Sequence, residues 1–231
     1  IYKKLDELKV TNWKKVNILD SNEYQKIYDE TIKNRGFMLL GRAGTGKSYA
    51  IKKIEEIMNN KNKKISKIAF TNKAALNIEG TTIHKFLGLD ERGNLNYKII
   101  DNIKKKIDMI VIDEISMISS FLWRRLYQVY NSTKIPFLLC GDFRQLPPVE
   151  IMITEDYREH PTIKLLGGNT YCELEKIHRY DLELAKITED VMNIKKSQFK
   201  KKIGKKNICY LNKTRKIINK LVNENMNKKF N

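Results

Sequence analysis

The sequence predicts an α/β fold in which a mainly parallel sheet is flanked by helices. Three observations predict it. Short apolar runs of strand length alternate along the chain with longer amphipathic runs. The run over residues 109–112 is apolar without interruption, which is typical of a parallel strand covered on both faces. A glycine-rich turn separates a predicted strand at 37–40 from a predicted helix at 47–58, and this order is the basic unit of such folds.

The other elements follow from the same patterns, taken in chain order. Trp13 and Val16 are expected to pack on the domain, and Ser21 and Asn22 are N-cap residues for a helix that ends near Asn34. The further predicted strands are residues 65–71, 109–112, 136–140 and 172–174. The further predicted helices are a short one from 72, a basic one within an insertion at 88–107, one at 119–130 and one from about 181. We expect residues 150–170 to be irregular, residues 195–206 to be a basic linker, and residues 208–211 and 214–227 to be a strand and a helix.

The composition is strongly basic. The 231 residues include 45 Lys and Arg against 27 Asp and Glu, a formal net charge of +18. This charge suits a polyanionic partner such as nucleic acid. The richness in Lys, Asn and Ile is also what an AT-rich genome produces, so the charge supports nucleic-acid binding without establishing it. No apolar stretch approaches the roughly 20 residues of a membrane helix, and we expect no membrane partner.

The cysteines are Cys140, Cys172 and Cys209, an odd number and far apart. They predict neither a disulfide framework nor a zinc site. We therefore expect a reducing compartment.

Residues 41–48 read Gly-Arg-Ala-Gly-Thr-Gly-Lys-Ser, a complete phosphate-binding loop between a predicted strand and a predicted helix. Backbone N–H groups and the helix N-terminus favour bound phosphate, and glycines let the backbone approach it. Lys47 is expected to reach the β- and γ-phosphates of ATP, and Ser48 to hold Mg²⁺. The predicted nucleotide-binding residues of this loop are Gly41, Ala43, Gly44, Thr45, Gly46, Lys47 and Ser48.

Two further polar segments follow predicted strands. Asp113 and Glu114 end the strand at 109–112, where Asp113 is placed to join the Mg²⁺ shell and Glu114 to activate a water. The alternative is that both cap a helix start. Gln145, within Gly-Asp-Phe-Arg-Gln-Leu-Pro-Pro-Val at 141–149, can bond a γ-phosphate oxygen and the attacking water, although the segment alone also fits a simple turn.

Three segments in this order resemble superfamily 1 DNA helicases, most of all the PIF-type and RecD-like branch: the loop at 41–48, Ile-Asp-Glu-Ile-Ser-Met at 112–117 and the segment at 141–149. The likeness covers roughly residues 21–215. It implies a RecA-like P-loop NTPase domain with ATP and Mg²⁺ as cofactors. By the same resemblance Gln25 contacts adenine, and Arg179 in Leu-Glu-Lys-Ile-His-Arg at 174–179 is an arginine finger. Tyr180 stands where the family usually has glutamine, and surface roles for Gln25 and Arg179 remain open.

Two segments resemble the family's contacts to single-stranded DNA. They are Phe-Thr-Asn-Lys-Ala-Ala at 70–75 and Gly-Thr-Thr-Ile-His-Lys-Phe at 80–86. Aromatic rings that stack on bases and polar groups that reach phosphates are what a single strand needs. The alternative is a loop whose polar groups bond within the protein and whose aromatic residue packs in the core. The predicted DNA-binding residues are Thr71, Asn72, Thr82, His84 and Phe86.

The resemblance also predicts a domain plan. Residues 1–20 would be an N-terminal extension, residues 21–180 the first RecA-like ATPase domain with a small insertion at 88–107, and residues 181–231 a basic linker and the start of a second RecA-like domain. The family's last two motifs are absent, so we expect a segment of a longer protein. Such a segment would bind nucleotide, hydrolyse it weakly and not unwind DNA alone.

The resemblance implies an ATP-dependent DNA helicase with 5′-to-3′ translocation, acting on single-stranded DNA or DNA junctions. It also implies an intracellular compartment where DNA is replicated, either the nucleus or, for a viral or bacterial protein, the cytoplasm. One alternative is the helicase subunit of a viral helicase–primase, with a primase or single-strand-binding protein as partner. A second is a DNA-binding ATPase switch that does not unwind. A third, a P-loop kinase, fits the segment at 141–149 poorly.

Overall fold

The computed structural model describes residues 12–18, 23–90, 92–145, 148, 157–176 and 178. The chain divides into two units between Asp181 and Leu182, and the described residues all belong to the first. The helix caps Ser21 and Asn22 and every element expected from residue 181 onward lie outside the described residues.

Parallel strands and helices alternate as the sequence predicts. The strands are β1 Lys14–Lys15, β2 Gly36–Gly41, β3 Ile65–Ala69, β4 Thr81–Thr82, β5 Met109–Asp113, β6 Phe137–Gly141 and β7 Thr170–Leu174. The α-helices are α1 Glu23–Asn34, α2 Lys47–Asn60, α3 Asn72–Asn77, α4 Ile83–Leu87, α5 Tyr97–Lys106, α6 Ser120–Thr133 and α7 Pro161–Leu166. Two 3₁₀ helices, Ile115–Met117 and Tyr157–Glu159, complete the described structure.

All strand pairs in the described sheet are parallel, in the order β1-β7-β2-β6-β5-β3-β4. Side chains of each central strand alternate between two apolar layers. Met38 and Leu40 of β2 face the layer that includes α6 and α7, whereas Phe37 and Leu39 face the layer of α1 and α2. Because both faces are covered, the central strands are apolar throughout, which confirms the predicted α/β fold.

Some predicted boundaries were wrong. The strand expected at 65–71 ends at Ala69, because Thr71 turns out of the sheet and its hydroxyl accepts the N–H of Ala74 as the N-cap of α3. The helix expected at 119–130 begins after its N-cap Ser119 and continues to Thr133. Residues 150–170, expected to be irregular, contain α7, which Pro161 begins and the His160 side chain caps.

The fold gathers the predicted site residues at one edge of the sheet. Parallel strands all end at the same edge, and ligands of such folds bind there. The loop of residues 41–48 leaves β2 at this edge, Asp113 ends β5, and Asp142 follows β6. The two segments that resemble DNA contacts leave β3 and β4 at the same edge.

Candidate nucleotide-binding site

The loop after β2 is shaped by glycines. Gly44 and Gly46 have φ of 86° and 94°, a region in which side chains with a Cβ are strained. A Cβ on Gly41 would lie 2.4 Å from the Thr45 Oγ1 atom, so only glycine fits there. The Thr45 hydroxyl donates to the Arg42 carbonyl at 2.9 Å and closes the turn. The loop therefore directs the free N–H groups of the first turn of α2 into its own concavity.

Lys47 lies over this concavity. Its Nζ donates to the carbonyls of Gly41 at 2.6 Å and Arg42 at 3.0 Å. Burial lowers the pKa of Lys47, and the carboxylates of Asp113 and Asp142 oppose that shift. The half-buried ammonium is thus held by two neutral carbonyl oxygens. A phosphate group can take their place as a charged and therefore stronger acceptor.

Asp113 and Glu114 occupy the predicted position at the end of β5. Asp113 is buried, and this burial raises the pKa of its carboxyl, opposed by the N–H of Glu114 and the charge of Lys47. The N–H of Glu114 donates to Asp113 Oδ1 at 2.9 Å. Glu114 itself has φ of 55°, which turns the chain sharply out of the sheet and leaves its side chain half-buried.

An ion-pair chain after β6 was missed by sequence reasoning. Arg144 Nε lies 2.7 Å from Asp142 Oδ1, and Arg144 Nη2 lies 3.0 Å from Glu173 Oε1 on β7. Asp142 is buried, whereas Gln145 is exposed and its N–H donates to the Asp142 carbonyl at 3.1 Å. These two ion pairs therefore fix the backbone that carries Gln145. An Asp directly after an apolar strand was the sequence signal for Asp142.

A pocket of about 880 Å³ adjoins the loop, between the start of α1, the end of β7 and α2. The rings of Tyr24 and Tyr49 meet edge to face across it, with centroids 5.8 Å apart. Burial, with the neighbouring Glu23, raises the pKa of Tyr24. Gln25 is not among the described lining residues, and its Nε2 donates to Asp29 Oδ1 at 2.8 Å. Its predicted adenine contact stays a prediction.

The segment after β7 returns to the loop. The N–H of His178 donates to the carbonyl of Gly44 at 2.8 Å. Arg179, the predicted arginine finger, lies outside the described residues. Of the other predicted loop residues, Ala43 and Ser48 are exposed and Thr45 is buried.

The predicted DNA-binding residues lie side by side but are partly engaged in local structure. The hydroxyl of Thr82 accepts the N–H of Lys85 at 3.3 Å as the N-cap of α4, as that of Thr71 does for α3. Asn72 and His84 are exposed, and Phe86 is half-buried against the core. Their contact with DNA stays a prediction.

No group of three His, Cys, Asp or Glu side chains in the described ranges is arranged to hold a metal ion. No helix there is long and apolar enough to cross a membrane.

Comparison with known families decides the relationship of the chain. The profile of the AAA domain family matches residues 22–207. The chain belongs to the AAA domain family. It is 33% identical over 150 residues to the ATP-dependent DNA helicase PIF1 of Candida albicans, covering 57% of this chain and 17% of that protein. It is 31% identical over 145 residues to PIF1 of Xenopus laevis, covering 56% of this chain and 22% of that protein.

Solved structures share the fold of this AAA domain. The crystal structure of Pif1 from Candida albicans superposes with a TM-score of 0.61 at 27% identity, over 76% of this chain and 44% of that one. Bacteroides Pif1 bound to single-stranded DNA gives 0.54 at 23% identity, over 77% and 47%. The similarities confirm a RecA-like domain of the PIF-type branch of superfamily 1. The chain spans about a fifth of the length of the curated relatives named above.

Proposed function

We propose that the chain is the ATP-binding motor domain of an ATP-dependent DNA helicase. The observation that carries the proposal is that Lys47 lies close to the carboxylates of Asp113 and Asp142. It does so beside a loop whose glycines adopt left-handed φ angles. The named relatives are ATP-dependent DNA helicases, which supports the same reading.

The residues at the loop fit a nucleotide with Mg²⁺. Asp113 offers a buried carboxylate with one oxygen bonded by Glu114 N–H, and Ser48 offers an exposed hydroxyl in the first turn of α2. Oxygen ligands of this kind suit Mg²⁺, which would supply positive charge against the phosphates of the nucleotide. Lys47 would hold the β- and γ-phosphates, Glu114 would accept the proton of the attacking water, and Gln145 would orient that water. Arg179 would neutralise the transferring phosphoryl group.

The base of the nucleotide would enter the pocket beside the loop. Tyr24 and Tyr49 give this pocket an aromatic wall, and Thr45 and Gly46 join it to the phosphate end of the site. Gln25 lies on the same helix as Tyr24, one residue further along. Release of its bond to Asp29 would free the amide to recognise adenine.

The sheet supplies a direct connection between the two proposed sites. In the register of the strands, Asp113 pairs with Ala69, and Ala69 pairs with Thr82 on its other side. Neighbouring strands are about 4.8 Å apart, so Thr82 and Asp113 are separated by only about 10 Å. If binding of single-stranded DNA moved the ends of β3 and β4, the movement would therefore be transmitted to Asp113, the proposed Mg²⁺ ligand.

The whole protein's activity belongs to the same proposal. We infer 5′-to-3′ translocation on single-stranded DNA, with DNA junctions as targets and a primase or single-strand-binding protein as partner. Closure against a second RecA-like domain would complete the site, so this chain alone would hydrolyse ATP weakly. The compartment would be the reducing intracellular one in which DNA is replicated.

Fluorescent-nucleotide binding to this chain tests the proposal. Lys47→Ala removes a charged hydrogen bond to phosphate, worth about 1.5–3 kcal/mol, so Kd should rise roughly ten- to hundredfold. Lys53→Ala is the matched control, because Lys53 lies on the same helix and pairs with Glu56. Equal affinity of the wild type and Lys47→Ala would contradict the nucleotide site.

A further inference from the structure

The opposite edge of the sheet, where the strands begin, is formed by the connections into β2, β6, β5 and β3. We call this surface the amino-terminal edge. Adjacent connections are hydrogen-bonded: Phe137 N–H donates to the Arg35 carbonyl at 3.4 Å, and Asp108 N–H donates to the Lys64 carbonyl at 2.7 Å. Three strand spacings of about 4.8 Å place these four connections within about 14 Å. They form one continuous surface on the far side of the sheet from the nucleotide site.

Exposed cations dominate the amino-terminal edge. They lie in the connections or in the last helical turn before them: Lys33, Arg35, Lys61, Lys63, Lys64, Lys104, Lys105, Lys106 and Lys134. Among the described carboxylates, only Asp108 lies within these connections or the last helical turns before them. The carboxylates one turn further back are Asp29, Glu30, Glu55, Glu56 and Asp101. Asp108 pairs with Lys63 at 3.0 Å, and Glu30 pairs with Lys33 at 3.7 Å. The edge therefore keeps a large excess of positive charge.

Helix capping explains only part of this charge. Cations near a helix C-terminus interact favourably with the helix dipole, which accounts for a lysine or two in the last turn of α5. The run Lys104–Lys106 instead places three like charges together, and none has an acidic partner within 4 Å in the described part of the chain. Lys63 and Lys64 lie beyond the end of α2, where the dipole has little effect.

The surface suits phosphates better than bases. Its neighbouring tyrosines are covered by lysines: Lys61 Nζ lies 5.4 Å from the centroid of the Tyr28 ring, and Lys134 Nζ lies 5.6 Å from that of Tyr130. Binding of single strands relies on aromatic rings that stack on bases, whereas a duplex presents mainly its phosphate backbone. The amino-terminal edge thus offers cations without a stacking platform.

We propose that the amino-terminal edge binds the phosphate backbone of double-stranded DNA, as a second DNA surface separate from the nucleotide site and the single-strand segments. A 14 Å length of duplex carries about eight phosphates, of which those on the near side face the protein. The cations of the edge are sufficient to contact several of them. The inference goes beyond the proposed motor function, because it concerns the opposite edge of the sheet.

The test is fluorescence anisotropy with a labelled 20-base-pair duplex, titrated over a series of salt concentrations without nucleotide. The edge variant removes one lysine from each of three connections: Lys64→Gln, Lys105→Gln and Lys134→Gln. The control variant removes the same charge from the half of α2 nearer the loop and from the first turn of α5: Lys52→Gln, Lys53→Gln and Lys98→Gln. Nucleotide affinity, measured in parallel, checks that both variants are folded.

The proposal predicts that the edge variant binds duplex at least about tenfold more weakly, with a salt slope reduced by about 2 to 3, since each phosphate contact contributes about 0.9. The control variant should change the slope by less than one contact. Equal losses in both variants would show diffuse charge and overturn the proposal. The proposal would also be overturned if the edge variant bound duplex as the wild type does but bound polyglutamate more weakly. In that case the amino-terminal edge would be a surface for an acidic protein. The Lys47→Ala protein should bind duplex normally, which separates this test from that of the motor function.

Discussion

Replacing Arg144 with glutamine tests how the region after β6 is held. Arg144 gives Asp142 a charged hydrogen bond at 2.7 Å and Glu173 a second one at 3.0 Å. Such bonds contribute about 1.5–3 kcal/mol when buried, and the Arg144 side chain is 41% exposed, so solvent reduces the first to about 1–2 kcal/mol. The bond to half-exposed Glu173 adds about 0–1 kcal/mol. Without the Arg144 side chain, the Asp142 carboxylate still accepts the backbone N–H of residue 144, at 3.1 Å.

Arg144→Gln should therefore cost about 2 kcal/mol in the free energy of unfolding, or about 4–8 °C in Tm for a domain of this size. Glu173→Gln should cost less than about 1 kcal/mol, and the double variant no more than Arg144→Gln alone. Because Gln145 follows directly, turnover in the protein containing this chain should fall while nucleotide Kd changes little. Denaturant unfolding and steady-state kinetics measure these effects. A loss for Glu173→Gln as large as for Arg144→Gln, or a loss confined to Kd, would refute the reasoning.

Three further predictions concern single residues. Gly46→Ala forces a Cβ into φ of 94°, so it should lower stability by about 1–2 kcal/mol and weaken nucleotide binding, measured by unfolding and titration; an unchanged protein would contradict the loop geometry. Burial raises the pKa of the Asp113 carboxyl, so its charged form destabilises the fold at pH 7. Asp113→Asn should therefore raise Tm at pH 7 and abolish the Mg²⁺ dependence of nucleotide affinity; a lower Tm or a retained Mg²⁺ dependence would be inconsistent. Burial, then Arg124, lowers the pKa of His160, so the unfolded chain takes up its proton first and stability should fall as pH drops through about 6.5. His160→Asn keeps an N-cap for α7 and should lose less stability between pH 7 and 5.5 in urea unfolding; parallel losses would exclude His160 as the cause.

The sequence predicted the strand–loop–helix unit because its signals are local. Apolar residues at strand and helix periods surround the loop, and the glycines mark the positions with left-handed φ. The end of β5 at Asp113 was equally visible, since a polar residue after a continuous apolar run marks the end of a buried strand. These elements hold most of the proposed phosphate site.

Other features depend on contacts that a single sequence does not display. The six residues of α7 are too few for a helical period, although His160 and Pro161 carried the capping signal. The two residues of β1 form a strand only because they pair with β7. Arg144 and Glu173 meet across neighbouring elements 29 positions apart in the sequence, so their ion pair became visible only in three dimensions.

The measurement that tests the central claim most directly is ATP hydrolysis by the protein containing this chain, with and without single-stranded DNA. We expect single-stranded DNA to accelerate turnover strongly and Lys47→Ala to abolish it, because the proposed nucleotide and DNA sites share one edge of the sheet. Accelerated turnover without strand separation would favour the ATPase switch. Turnover that is indifferent to DNA, or phosphoryl transfer to a nucleoside instead of water, would contradict the motor.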